Sequence, residues 1–149
     1  MIYIGADHRG YELKEKLKSW LEELGYEYTD RGPFEYNKDD DYPDFAVAVA
    51  KAVVSSLSKG EVSKGILICG SGIGMATTAN KINGILAGTA LKPEQIISAE
   101  GDEGLNVLAL SSDFATEEEN KAIVKAFLES KFSGAERHVR RVNKIKELE

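Results

Sequence analysis

Long apolar runs, cysteine and histidine are all scarce in this sequence. No apolar stretch approaches the roughly 18 residues that a membrane span requires, so no membrane association is predicted. The only cysteine, Cys69, excludes an internal disulfide and leaves packing or thiol chemistry as its role. The acidic run from Asp39 to Asp41 has no histidine or further ligand set beside it. A solvated turn is therefore favoured over a metal site.

Basic residues are fewer than acidic residues. The formal net charge is −6, which disfavours nonspecific binding of nucleic acid. The sequence opens on Met1-Ile-Tyr-Ile with no basic segment and no small-residue cleavage site, so a cytoplasmic protein is expected. With 149 residues, the chain is predicted to form a single domain, residues 1–149.

Apolar runs of strand length alternate with longer segments of helical period. This alternation predicts an α/β fold with a parallel sheet. The predicted strands are residues 2–6, 26–29, 66–69, 85–91 and 106–110. Gly25 is expected to close the first helix, Asp44 to cap the second, and Thr116 with Glu119 to form a capping box for a later one. A further helix is predicted for residues 136–149.

The glycine cluster Gly70-Ser71-Gly72-Ile73-Gly74 follows the central predicted strand and precedes a helix. Backbone N–H groups in such a loop bind anionic or oxyanionic groups, aided by the helix dipole. A P-loop would need Gly-Lys-Ser/Thr after a four-residue gap, and a dinucleotide fingerprint would need a third small residue where Met75 stands. Both are excluded, and a tight turn that only packs closely remains the alternative.

Cys69 ends the central strand, at the edge where α/β folds bind ligands. A cysteine after three aliphatic residues is more often a core residue than a catalytic one. The amides that follow Cys69 change this balance, because such groups favour a thiolate over a thiol.

Charged residues mark two further candidate sites. Asp7 and His8 follow the first strand on the same ligand edge, where a helix-capping pair is the structural alternative. Arg137 and Arg141 are four residues apart on a predicted helix, so both could bind one phosphate. Ordinary surface salt bridges would explain the two arginines equally well.

These segments together resemble the ribose-5-phosphate isomerase B and galactose-6-phosphate isomerase family. The resemblance spans nearly the whole chain in the family's order. The matching segments are Gly5-Ala-Asp-His-Arg-Gly-Tyr-Glu-Leu-Lys, Asp41-Tyr-Pro-Asp-Phe-Ala, Gly65-Ile-Leu-Ile-Cys-Gly-Ser-Gly-Ile-Gly-Met, Ala79-Asn-Lys, Asn106-Val-Leu and Arg137-His-Val-Arg-Arg-Val. The resemblance implies a Rossmann-like, doubly wound sheet of five parallel strands, with helices on both faces and a C-terminal helix. It also implies a homodimer with sites at the subunit interface, and aldose–ketose isomerisation of a phosphorylated sugar without a metal or other cofactor.

The resemblance also implies roles for individual residues. Cys69 matches the base that moves a proton between C1 and C2, and the amides of Gly70 to Gly74 match an oxyanion hole for a cis-enediolate. Asp7 and His8 match residues that hold the sugar and assist proton movement, with His8 also at the phosphate. Arg137 and Arg141 match phosphate ligands.

Three positions depart from the family pattern. Asp102 and Glu103 replace a His-Asn pair whose histidine opens the sugar ring and whose asparagine helps to stabilise the enediolate. A buried Asp102 could still relay a proton, whereas Glu103 cannot donate an N–H. Asp113 replaces an arginine that reaches the phosphate, and its carboxylate is expected to repel that group.

Ribose 5-phosphate and ribulose 5-phosphate are the expected substrate pair. Two alternatives stay open at this point. One is an isomerase for a different sugar, and the other is a non-catalytic binding or regulatory subunit that works with a related chain in a heteromer.

Overall fold

Five strands and six helices alternate along the chain. The computed structural model describes all residues from Met1 to Glu149. In chain order the elements are β1 Ile2–Ala6, α1 Tyr11–Glu23, β2 Tyr28–Asp30, α2 Tyr42–Ser58, β3 Lys64–Cys69, α3 Ile73–Ala79, β4 Ala87–Thr89, α4 Pro93–Glu103, β5 Val107–Ser111, α5 Glu117–Glu129 and α6 Glu136–Lys146. No helix in the structure is both long enough and apolar enough to span a membrane.

The strands form one parallel sheet in the order β2-β1-β3-β5-β4. Strand β3 lies at its centre, where Ile68 pairs with Ala6 of β1 and Cys69 with Ser111 of β5. Strand β2 lies beyond β1 on one side, and β5 and β4 lie beyond β3 on the other, so the topological switch point lies between β1 and β3. The prediction of a doubly wound α/β sheet is confirmed.

Each face of the sheet is covered by helices because the central strands are apolar on both faces. Ile66 and Ile68 of β3 pack against one group of helices, while Leu67 and Cys69 pack against the other. Helices α1, α4 and α5 cover the first face, and α2 and α3 cover the second. This continuous burial explains why the strands appear in the sequence as uninterrupted apolar runs.

Helix boundaries follow the local chemistry, with one correction. Thr116 and Glu119 form the predicted capping box of α5. The prediction that Asp44 caps α2 is wrong, because the helix already begins at Tyr42 and Asp44 lies in its first turn. Pro43 explains the earlier start, since its fixed φ and missing N–H are well suited to the first turn of a helix.

Candidate active site

The carboxyl ends of β1 and β3 meet at the switch point, and the residues predicted from these two strands lie there. Asp7 directly follows β1, and its N–H donates to the carbonyl of Ile68 at 3.1 Å. This bond holds the Asp7-His8 segment beside Cys69. Parallel sheets of this kind bind ligands at this edge.

Cys69 is only 5% exposed, and its thiol lies against the glycine loop. The Gly72 N–H donates to Cys69 Sγ at 3.2 Å. Gly72 has φ of 78°, a left-handed conformation that favours glycine. The N–H groups of Gly70, Ser71 and Gly74 make no hydrogen bond within the protein. The loop therefore combines one amide held on the sulfur with free amides nearby.

Asp7 shapes the turn that leads into α1. Its Oδ1 accepts hydrogen bonds from the N–H groups of Arg9 and Gly10, both at 3.0 Å. Burial raises the pKa of Asp7, although the N–H of Gly10 and the neighbouring His8 act in the opposite direction. The helix-capping alternative is wrong, because the N-cap residue of α1 is Gly10 and no side chain caps the helix. Asp7 instead holds the backbone of the turn that precedes it.

His8 pairs with Asp40 rather than with Asp7. Asp40 Oδ1 accepts from the His8 backbone N–H at 3.1 Å and lies 2.7 Å from its ring Nδ1. Asp40 belongs to the loop between β2 and α2, which folds back over the strand edge. Asp40 could not be predicted as a site residue, because the sequence of an acidic loop does not indicate which part of the protein the loop will contact.

Arg9 and Asp113 form an ion pair beside the thiol. The Asp113 N–H donates to the carbonyl of Gly70 at 3.1 Å, which brings the segment after β5 against the glycine loop. The carboxylate that was expected to repel a phosphate therefore has its charge matched by Arg9. Arg9 was also missed as a site residue, because its pairing depends on two segments about a hundred residues apart.

These groups line one open cavity of about 420 Å³. The cavity brings together six predicted residues, which are Asp7, His8, Cys69, Gly70, Ser71 and Gly74. Arg9, Tyr42, Asp113 and Phe114 complete its wall. A larger cavity of about 600 Å³ lies near the end of α6 and contains none of the predicted site residues. Chemistry rather than volume therefore identifies the candidate site.

Asp102 lies away from this cavity, near the amino ends of the strands rather than at their carboxyl ends. It is part of α4 and precedes β5, whose first residue, Val107, pairs with Gly65 rather than with Cys69. Gly65 and Cys69 are four residues apart on β3, which corresponds to about 13 Å along the strand. Asp102 Oδ1 lies 3.4 Å from Nε2 of the buried His138.

Arg137 and Arg141 flank His138 on α6 and are both exposed. Helix α6 packs on α4, so the two arginines lie in the same part of the molecule as Asp102. Within one chain, two of the predicted phosphate ligands, Arg137 and Arg141, do not line the Cys69 cavity, whereas the third, His8, does. The structure thus divides the predicted site into two groups of residues.

Residues 2–145 match the model of one protein family, described as ribose/galactose isomerase. The chain belongs to this family. The predicted resemblance is therefore confirmed, and it covers nearly the whole sequence.

Curated relatives and solved structures agree with the family assignment. The chain is 41% identical over 144 residues to a probable ribose-5-phosphate isomerase B of Mycoplasma genitalium, covering 97% of this chain and 92% of the relative. It is 36% identical to ribose-5-phosphate isomerase B of Mycobacterium tuberculosis over 99% of this chain and 89% of the relative. A crystal structure of the Mycoplasma genitalium enzyme with bound ribulose-5-phosphate superposes with a TM-score of 0.91 at 39% identity, covering 99% and 94% of the two chains. The type B ribose 5-phosphate isomerase of Trypanosoma brucei gives a TM-score of 0.92 at 35% identity, covering 99% and 97%.

Proposed function

We propose that this protein is an aldose–ketose isomerase that interconverts ribose 5-phosphate and ribulose 5-phosphate through a cis-enediolate, with Cys69 as the base. The observation that carries the proposal is the hydrogen bond from the Gly72 N–H to Cys69 Sγ, inside a cavity that also contains Asp7 and His8. Ribose-5-phosphate isomerases of this family, one of them with bound ribulose-5-phosphate, support the choice of substrate.

The proposed reaction begins from the open-chain sugar. The Cys69 thiolate removes a proton from the carbon next to the carbonyl, and the electron pair of that C–H bond moves towards the carbonyl oxygen. The free amides of Gly70, Ser71 and Gly74 are near enough in the loop to stabilise the resulting oxyanion. The thiol then returns the proton to the neighbouring carbon, and a proton shift between the two oxygens completes the isomerisation. Cys69 is regenerated as a thiolate.

The hydrogen bond from Gly72 has a specific use in this scheme. An N–H donor stabilises a thiolate better than a thiol, because the anion is the stronger acceptor. The same sulfur is nearly excluded from water. Removal of the sugar's proton by this sulfur therefore does not first require the loss of a full hydration shell. Asp7 and His8 are assigned to holding the sugar and to moving protons between its oxygens.

A second copy of the chain would complete the site in our proposal. The exposed Arg137 and Arg141 of one subunit would bind the phosphate of a sugar held at the Cys69 cavity of the other. Asp102 would enter the site on the same surface. We therefore propose a homodimer, and we place the reaction in the cytoplasm.

The test compares the wild-type protein with Cys69→Ala in the interconversion of ribose 5-phosphate and ribulose 5-phosphate. We expect kcat to fall by a factor of about 10³ in the variant, since general base catalysis contributes about 10²–10⁴. The affinity for ribulose 5-phosphate, measured by calorimetry, is the control and should change little. Full activity in Cys69→Ala would eliminate the cysteine base.

An isomerase for a different sugar is the second candidate function. The observation that favours it is the Arg9–Asp113 pair, which places a carboxylate in the wall of the cavity. A panel of pentose and hexose phosphates and unphosphorylated sugars separates the two candidates. Turnover of another sugar at a kcat/KM well above that for ribose 5-phosphate would support the second one.

A further inference from the structure

The Arg9–Asp113 pair stands against the glycine loop, and the proposed proton transfer makes no use of it. The guanidinium Nη2 of Arg9 donates to Asp113 Oδ2. A methyl group placed on Gly70 would lie 2.7 Å from Arg9 Nε and 2.8 Å from Asp113 Oδ2. The pair therefore packs directly against Gly70, and a side chain at this position would require Arg9 and Asp113 to shift.

Both partners are held by the backbone of the site. The Arg9 N–H donates to Asp7 Oδ1 at 3.0 Å, and the Asp113 N–H donates to the carbonyl of Gly70 at 3.1 Å. The Ser112 hydroxyl donates to the carbonyl of Cys69 at 3.2 Å. The main chain that carries the two side chains is thus fixed relative to the thiol, so that only side-chain torsions remain to be ordered when a ligand binds.

The pair keeps unused hydrogen-bonding capacity on its open side. The side chains of Arg9 and Asp113 are 57% and 31% exposed. A guanidinium has five N–H donors and a carboxylate has about four acceptor positions, so one bond between them leaves most of these free. The pair therefore offers donors and acceptors side by side, with no net charge.

This combination is suited to a hydroxyl group rather than to a phosphate. A hydroxyl both donates and accepts, so it can bond to the guanidinium and the carboxylate together. A phosphate would gain from the guanidinium but would be repelled by the adjacent carboxylate. Open-chain pentose phosphates carry hydroxyl groups on C3 and C4, beyond the carbons between which the proton moves.

We propose that Arg9 and Asp113 together bind the C3 or C4 hydroxyl of the sugar, and so act as a specificity-determining pair of the isomerase site. The proposal rests on the proposed function, which supplies the substrate class. It also gives a reason for the carboxylate at position 113, which, together with Arg9, would bind a hydroxyl group on C3 or C4 of the sugar.

The test measures binding rather than turnover. Dissociation constants for ribose 5-phosphate, its 3-deoxy and 4-deoxy analogues and inorganic phosphate are determined by calorimetry for the protein that is wild type at positions 9 and 113, for Arg9→Met and for Asp113→Ala. All three proteins carry Cys69→Ala, so that the sugar is not converted during the titration. We expect the wild type to bind ribose 5-phosphate about tenfold more tightly than one of the two analogues, the value of one charge-assisted hydrogen bond. This preference should fall to about twofold or less in both variants, while the affinity for inorganic phosphate should not fall in either of them.

The matched control is the double variant Lys121→Met/Glu23→Gln, which removes a different exposed ion pair that lines neither the Cys69 cavity nor the small cavity next to Arg9 and Asp113. It should retain the wild-type preference. A preference that is absent in the wild type, or unchanged in Arg9→Met and Asp113→Ala, overturns the proposal. A loss of phosphate affinity in Arg9→Met overturns it as well, since Arg9 would then be a phosphate ligand. Ribose 5-phosphate that binds with this preference but is not converted by the protein that retains Cys69 would remove the proposed function and leave the hydroxyl-binding pair standing.

Discussion

Asp40 determines how His8 presents its imidazole ring to the cavity. The carboxylate accepts from ring Nδ1, so Nδ1 carries the hydrogen and Nε2 is left for a ligand or a proton. Its second oxygen, Oδ2, is buried and has no hydrogen-bond partner. A buried carboxylate oxygen without a hydrogen-bond partner lowers the stability of the fold. Keeping Asp40 at this position nevertheless orients the ring of His8 through Oδ1.

We expect Asp40→Ala to lower kcat/KM for ribose 5-phosphate by about tenfold, because the two hydrogen bonds that hold the backbone and the ring of His8 are lost. Asp40→Asn should stay within about threefold of the wild type, since its amide oxygen can still accept from both His8 groups. Steady-state kinetics of the two variants provide the measurement. Equal losses in Asp40→Ala and Asp40→Asn would show that the negative charge of Asp40, and not the orientation of His8, is what matters.

The predicted site residues that proved to lie together are those that directly follow a strand. Asp7, His8 and Cys69 could be placed because the ends of parallel strands share one edge. Asp40 could not, since it lies in a loop without periodicity. The resemblance placed Asp113 near the phosphate but gave no sign of its pairing with Arg9, which lies about a hundred residues away in the chain. Their positions depend on tertiary packing, which a local pattern does not encode.

At the level of elements, a buried lysine ties α1 to the end of β2. Lys14 is fully buried, and its Nζ donates to both oxygens of Asp30, at 2.8 and 2.7 Å, and to the carbonyl of Pro33 at 2.6 Å. Lys18 contacts the same carboxylate at 2.8 Å. The cluster anchors the start of the loop that carries Asp40, so its integrity also bears on the active site.

The two partners of this cluster should differ in their importance for stability. Asp30→Asn leaves the buried charge of Lys14 without an anion and should cost about 3 kcal/mol in the free energy of unfolding. Lys14→Met leaves Asp30 paired with Lys18 and bonded to the Gly32 N–H, and should cost about 1 kcal/mol. Urea denaturation at neutral pH measures both. The reverse order would contradict the assignment of Asp30 as the central group.

Acidification should remove the contribution of the Asp30 carboxylate to stability. Burial alone would raise the pKa of Asp30, but the hydrogen bonds from Lys14, Lys18 and Gly32 outweigh it and hold the pKa below its ordinary value of 3.8. A lowered carboxyl pKa contributes stability above the unfolded-state pKa and loses it as the pH falls through the folded-state pKa. The stability difference between wild type and Asp30→Asn should therefore be full near neutral pH and shrink below about pH 4.

Most elements could be predicted because their signals are local. The apolar run of β3 and the capping box of α5 needed no knowledge of the fold. Strand β2 was displaced in the prediction, at residues 26–29 instead of Tyr28–Asp30. Its position depends on pairing with β1, where Ile4 lies opposite Asp30, and a three-residue edge strand has little pattern of its own.

On the scale of the whole molecule, one chain holds two separate groups of predicted site residues. The Cys69 cavity lies at the carboxyl edge of the sheet, while Asp102, Arg137 and Arg141 lie with α4 and α6. The fold class could be predicted from the alternation of strands and helices. The separation of the two groups could not, because it depends on where α6 packs.

Subunit complementation tests whether two copies combine these groups. Cys69→Ala lacks the base, and the double variant Arg137→Ala/Arg141→Ala lacks the phosphate ligands, so each should be nearly inactive alone. In a mixed dimer, the intact Cys69 of one subunit would face the intact arginines of the other. After the two proteins are mixed in equal amounts and subunits exchange, half of the dimers are mixed and each has one intact site, so about a quarter of wild-type activity should return.

The measurement is kcat for ribose 5-phosphate as a function of the mixing ratio, with a maximum expected at equal amounts. The control mixes Cys69→Ala with a protein carrying Cys69→Ala, Arg137→Ala and Arg141→Ala together. That mixture contains no intact base, so it should stay inactive at every ratio. Exchange of subunits is followed independently with a mass tag on one variant. Mixed dimers without recovered activity would mean that the arginines serve the cavity of their own chain, or that they do not bind the phosphate at all.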